Sequence, residues 1–300
     1  MTGRLLSGVF PIVATPFRND GAPDVKDLER VVDFIVDAGA DGLVFPGVAS
    51  EFETLAPEER RLLVETVARA TRGRILLVIG VSAANAQDAM RYAAQARAVG
   101  AAAVMAVAPT SMREVPAAQI DYYRRIAAED LAVILQNAPP PAGCGFAPER
   151  VAEIVAAVPG IAYVKEETLP CGQRITRLRQ LLPGLPGIFG GAGGRYITDE
   201  LARGACGTMP ACELIDLHVK QFEAHRAGDA AEVRRMFTRM LPLLNFQAVF
   251  RMAMTKEVLR RRGVITATHV RAAGPALDAG DLRELDALLD ELQLDTAAVS

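Results

Sequence analysis

The stretch Ile161-Ala162-Tyr163-Val164-Lys165-Glu166-Glu167 decides how the chain is read. A short apolar run sits between two helical stretches, Pro148–Val158 before it and about Arg174–Leu182 after it. Such a run suits a strand buried on both faces, the kind found in parallel sheets. Ile161–Lys165 is the expected strand, and it ends in charge.

The same unit repeats on both sides of it. Towards the N-terminus, strands are expected at Val9–Ala14, Leu43–Phe45, Ile75–Ile79, Ala102–Val107 and Ala132–Leu135. Towards the C-terminus they are expected at Gly187–Phe189 and Gly207–Met209. Helical patterns fill the intervals. One starts near Asp24 and stops at Gly39, one opens on Ala56-Pro57-Glu58-Glu59, and one runs from Asn85 to Gly100. Others cover about Ala117–Glu129, Ile197–Arg203 and Ile215–Ala227. Eight strand–helix units predict an α/β protein, a (β/α)8 TIM barrel. Ala230–Arg262, broken near Pro242, and Leu282–Leu292 predict additional C-terminal helices. The expected division is a barrel over 1–228 and a helical extension over 229–300 packed on it.

The 300 residues suit one large barrel. Hydrophobic residues at 51% and charged residues at 23% mark a globular chain. With a net charge of -3 and no basic block, nucleic acid is not an expected partner. No apolar run reaches the roughly 20 residues of a membrane span. Pro11 interrupts the apolar N-terminal stretch, so no secretory signal is expected there. Cys144, Cys171, Cys206 and Cys212 form no C-x-x-C pair and read as free thiols of a cytoplasmic protein. His218, His225 and His269 match no metal spacing, so no metal is expected, and Met236, Met240, Met252 and Met254 read as core or interface filler.

Active sites of such barrels lie at the C-terminal ends of the strands. Lysine is the informative residue there. Of the four in the chain, Lys26, Lys220 and Lys256 lie in helical stretches with polar neighbours and read as solvated. Lys165 ends a strand that should be buried. Burial disfavours an ammonium, and a neutral amine attacks a carbonyl carbon to give a Schiff base. The alternative is a structural lysine paired with Glu166 or Glu167. Strand side chains alternate, so Glu167 shares the face of Lys165 and Glu166 points to the helical layer. A carboxylate beside an imine can move protons; equally, it can hold Lys165 charged.

With Lys165 on the sixth strand, the chain resembles the dihydrodipicolinate synthase / N-acetylneuraminate lyase family over nearly its whole length. The motifs are G-V-F-P-I-V-A-T-P-F at 8–17, G-V-A-S-E at 47–51, Q-N-A-P at 136–139 and Y-V-K-E-E-T at 163–168. The resemblance implies a barrel with C-terminal helices, assembled as a homotetramer or homodimer, that acts without a cofactor on a small 2-oxo acid. It implies that Lys165 forms the imine, that Gly190 and Gly191 lie near it, and that Met209 lines the pocket.

The departures from the family pattern narrow the activity. Val48 and Ala49 replace the hydroxyl residues that bind the substrate carboxylate, leaving Ser50 as the nearest hydroxyl; with neighbouring backbone N–H groups it can hold a carboxylate, and the alternative is a turn residue. Gln136 replaces the family's acid tyrosine. The synthase arginine would fall near Pro141, which makes dihydrodipicolinate synthesis an unexpected activity. Glu167 stands where the family has a small or hydroxyl residue. Together these features resemble the L-2-keto-3-deoxyarabonate dehydratase branch, although Thr110-Ser111 lacks that branch's aromatic residue. The expectation is a Schiff-base lyase that dehydrates a 2-keto-3-deoxy sugar acid. A pyruvate-dependent aldolase and a non-catalytic 2-oxo acid binder are the alternatives. The run Gly190-Gly191-Ala192-Gly193-Gly194-Arg195 reads either as a tight turn or as a pocket wall from which Arg195 reaches an anionic tail.

Overall fold

Apolar runs too short for helices have become the strands of a ring. A computed structural model describes residues 5–294; residues 1–4 of the N-terminal stretch and 295–300 of the C-terminal extension lie outside it. The strands are β1 (Gly8–Val9), β2 (Gly42–Phe45), β3 (Leu76–Gly80) and β4 (Ala103–Val107), then β5 (Ala132–Asn137), β6 (Ile161–Glu166), β7 (Gly187–Gly190) and β8 (Gly207–Thr208). They pair in the order β1-β8-β7-β6-β5-β4-β3-β2, all parallel. Ile12 bridges to both Val44 and Ala211, which closes the sheet into a barrel. The first strand is shorter than the expected Val9–Ala14. Pro11 has no N–H to donate, so the ladder breaks there and resumes as the single bridge at Ile12.

The outer ring is α1 (Val25–Asp37), α2 (Pro57–Thr71), α3 (Ala86–Ala98) and α4 (Pro116–Ala127), followed by α5 (Pro148–Ala157), α6 (Cys171–Leu181), α7 (Ile197–Ala202) and α8 (Ile215–Arg226). Their starts follow from local chemistry. Asp24 and Asn85 accept hydrogen bonds from the first-turn amides of α1 and α3. Proline opens α2, α4 and α5, where a missing N–H costs nothing.

Strand side chains sort by parity. Phe10, Val44, Val78, Met105, Ile134, Tyr163 and Phe189 fill the barrel interior. Their neighbours Val9, Leu43, Phe45, Val104, Leu135 and Val164 pack outward against the helices. Period-two alternation across a sheet covered on both faces makes each strand read as a continuous apolar run.

The extension is α9 (Ala230–Phe250), α10 (Met252–Arg261) and α11 (Ala279–Leu292). The expected break near Pro242 is corrected: Pro242 lies inside α9, and the helix ends at Arg251 instead. Met240, Leu243 and Leu244 around the proline are buried against α11 residues Leu285 and Leu289, and that packing holds the helix through it. Met252, Leu259, Val264 and Ile265 join the same buried cluster as the outward barrel residues. The four methionines read as filler are all buried. Among the described residues, no helix is long and apolar enough to cross a membrane.

The solvated reading of Lys256 is also corrected. Lys256 is fully buried, with Nζ 2.5 Å from Glu51 Oε1, donating to the His269 carbonyl and lying over the Phe17 ring. Glu51 Oε2 accepts the N–H groups of Arg271 and Ala272. Burial pulls the Lys256 ammonium down to about 8, against the attraction of Glu51. This pair ties the loop after β2 to the extension. Lys26 and Lys220 are exposed, as read.

Candidate active site

The end of β6 and the residue after it deliver three acidic or basic side chains in succession, and the barrel sorts them. Lys165 is 3% exposed and faces a cavity of about 260 Å³. Glu167 lines the same cavity, with Oε1 3.1 Å from Lys165 Nζ. Between them Glu166 turns outward and is fully buried. It meets the Arg174 guanidinium of α6 at 3.2 Å and accepts a hydrogen bond from Asn137 Nδ2 at 2.8 Å. The alternation expected of a strand therefore continues to its end.

β5 lies beside β6, with Gln136 in register with Lys165. Gln136 Nε2 donates to Glu167 Oε2 at 2.6 Å. The Ala192 N–H donates to Glu167 Oε1 at 3.1 Å. Both carboxylate oxygens are thus held. Burial pushes the Glu167 carboxyl up, but the Lys165 charge and these donors outweigh it and hold its pKa below the ordinary value. Glu167 is an oriented carboxylate one hydrogen bond from a buried amine. The ion pair read from the sequence as the alternative is present here.

The other residues singled out fall into two groups. Ala49 and Met209 line the cavity beside Lys165, and Pro139, Pro140 and Pro141 form an apolar wall where the synthase arginine would stand. Gly190 and Gly191, expected near the imine, do not line the cavity; Gly191 lies against Glu167 and Gly190 against Glu200. A Cβ at Gly191 would meet Glu167 Cγ at 2.5 Å, so only glycine lets the carboxylate sit where it does. A Cβ at Gly190 would fall on the Glu200 carboxylate.

Ser50 does not line the cavity. It is fully buried, its Oγ accepts from the Gly47 N–H at 2.9 Å and donates to the Val13 carbonyl, and it shapes the loop. Val48 and Ala49 begin a single 3-10 turn, so their N–H groups have no acceptor within it. Cys144 is buried with Sγ 3.2 Å from the Pro109 carbonyl, and Cys171 is buried at the start of α6. Burial pushes the Cys171 thiol up to about 12.

Three residues escaped the sequence reading. Gln247 and Arg251, from the α9–α10 junction, line the cavity with Arg195. Glu200, on α7, is buried behind Gly190, and neither of its oxygens makes a hydrogen bond among the described residues. Burial, and then the Glu167 charge, raise its carboxyl to about 8. In sequence it stands beside Asp199 and looks like one of two solvated acids.

Comparison with known proteins agrees with this architecture. The model of the Dihydrodipicolinate synthetase family matches residues 5–292. The L-2-keto-3-deoxyarabonate dehydratase of Azospirillum brasilense is 29% identical over 291 residues, covering 95% of this chain and 94% of that protein. A probable 2-dehydro-3-deoxy-D-pentonate aldolase of Escherichia coli K12 is 30% identical over 241 residues, covering 79% of this chain and 80% of that one. The crystal structure of dihydrodipicolinate synthase from Rhodopseudomonas palustris superposes with a TM-score of 0.89 at 26% identity, covering 95% of this chain and 97% of that one. With eight parallel strands in a closed ring, C-terminal helices, and a family match over nearly the whole length, the chain belongs to the dihydrodipicolinate synthetase family of lyases.

Proposed function

We propose that the protein dehydrates a 2-keto-3-deoxy sugar acid through a Schiff base on Lys165. The observation that carries this reading is the 3.1 Å approach of Lys165 Nζ to Glu167 Oε1 inside a cavity at the strand ends. Glu167 takes a proton from Nζ, and the amine adds to the C2 carbonyl. A second proton passes from the nitrogen to the carbonyl oxygen, which then leaves as water with the proton held by Glu167, and an iminium remains. The iminium acidifies C3–H, and Glu167 removes the proton. The electron pair moves into an enamine, which expels the C4 hydroxyl as water with the proton returned from Glu167. Water then hydrolyses the conjugated iminium and frees Lys165. The N–H groups of Val48 and Ala49 are suited to hold the C1 carboxylate.

Gln136 has no acid proton to offer, and its amide is bonded to Glu167. Proton transfer in this reading therefore rests on one carboxyl. The likeness to the Azospirillum brasilense dehydratase supports the same choice. The family resemblance extends the reading to a homotetramer or homodimer that uses no cofactor.

The likeness to the Escherichia coli aldolase favours a second reading, aldol cleavage through the same imine. Product analysis with a panel of 2-keto-3-deoxy acids separates the two. A dehydrated 2-oxo acid that keeps every carbon of the substrate supports the first reading. Released pyruvate and an aldehyde reject it for the second.

A further inference from the structure

Two cations stand in the cavity without an anion. Arg195, half-buried in the turn after β7, and Arg251, exposed at the α9–α10 junction, both line the space that Lys165 faces. Among the described residues neither makes a salt bridge; Arg195 Nη1 reaches only the Gln247 Oε1 amide, at 3.5 Å. Most other arginines among the described residues pair with a carboxylate, and two arginines that line one cavity without such a partner make its rim electropositive.

The backbone at Arg251 adds an independent sign. Its φ of 49° and ψ of -119° match the first central position of a type II′ turn, which glycine ordinarily fills. A side chain held in such a conformation is strained, and strain of this kind gathers at ligand sites. Arginine here costs stability and places a charge at the rim.

Exposure orders the groups along the cavity. Lys165, at 3%, marks the floor. Arg195 lies further out, and Arg251 also lines the larger neighbouring cavity that reaches Arg271. The 2-oxo acid end belongs with Lys165 and the 48–49 amides, so the arginines face the opposite end of the substrate.

From this we infer that Arg195 and Arg251 form a subsite for a second anionic group, and that the substrate is a 2-oxo acid with a carboxylate or phosphate at its distal carbon. The inference rests on the Schiff-base reading above and deepens it.

The test compares 2-keto-3-deoxy acids of equal carbon number ending in a neutral hydroxymethyl, a carboxylate or a phosphate ester. For the wild-type protein, kcat/KM should favour one anionic tail over the neutral one by about 10- to 100-fold, the worth of a charge-assisted pair. Preference for carboxylate identifies a diacid substrate, and preference for phosphate a phosphorylated one. In Arg195→Gln and Arg251→Gly the ratio should fall towards one, mainly through KM. Arg251→Gly should also raise the melting temperature, because glycine relieves the backbone. A wild-type ratio of one or below overturns the subsite, as does a ratio that survives both substitutions. Borohydride trapping of pyruvate on wild-type Lys165 needs no tail, so its failure strikes the Schiff-base reading instead.

Discussion

Lys165 Nζ and Glu167 Oε1 lie 3.1 Å apart because a strand returns to the same face every second residue. The amine and the carboxylate therefore enter the cavity as neighbours, with the Ala192 N–H on the same oxygen as Lys165 and Gln136 on the other.

Glu167→Gln keeps the size of the side chain and removes its proton chemistry. Turnover should fall by about 100- to 10,000-fold, the usual range for a lost general acid–base. Steady-state kinetics checks this, with circular dichroism to show that the fold is kept. Full activity would remove Glu167 from the mechanism.

Gly191→Ala tests the positioning of that carboxylate. The added methyl would lie 2.5 Å from Glu167 Cγ, so the side chain must move. A displacement near 1 Å at a catalytic group costs about 100-fold in rate. The expected result is that loss in kcat with borohydride trapping at Lys165 retained.

Lys256→Met strands Glu51 in the interior. Removing one partner of a buried ion pair destabilises by about 3–5 kcal/mol. Urea unfolding should show the loss, and Glu51→Gln added to Lys256→Met should recover part of it. A cost near zero would mean that the pair does not hold the β2 loop to the extension.

Glu200 gives the stability a pH dependence. Its carboxyl keeps a proton up to about 8 in the folded chain, against the ordinary 4.5 once unfolded. Between those values the folded state binds more protons, so this group's contribution to stability falls as pH rises through the window. Glu213, raised by burial to about 7, acts in the same direction. Glu200→Gln mimics the protonated form. Its melting temperature relative to wild type should climb between pH 5 and pH 8, and a flat difference would show that Glu200 is ionised in the fold.

The barrel was legible because strand and helix signals are local. A strand covered on both faces needs a continuous apolar run, and the capping residues of α1 and α3 stand next to the helices they start. The Lys165–Glu167 relation was legible for the same reason, since two residues on one strand need no knowledge of the fold. What depends on distant contacts was not. Lys256 looks solvated among polar helix neighbours, yet its partner Glu51 is 205 residues away. Pro242 carries the strongest helix-breaking signal in α9, but packing against α11 overrides it, and the break falls at Arg251, whose residue type gives no warning. Glu200 shows only that an acid follows an acid, because its burial comes from the glycine layer folded over it. Ser50 sits in the right loop, but its hydroxyl is taken by backbone that the sequence does not bring near.

The most direct measurement is borohydride reduction of the protein in the presence of pyruvate, followed by mass mapping of the modified peptide. One reduced adduct is expected, on Lys165, and none in Lys165→Ala. An adduct on Lys26, Lys220 or Lys256, or trapping undiminished in Lys165→Ala, would contradict the Schiff-base reading.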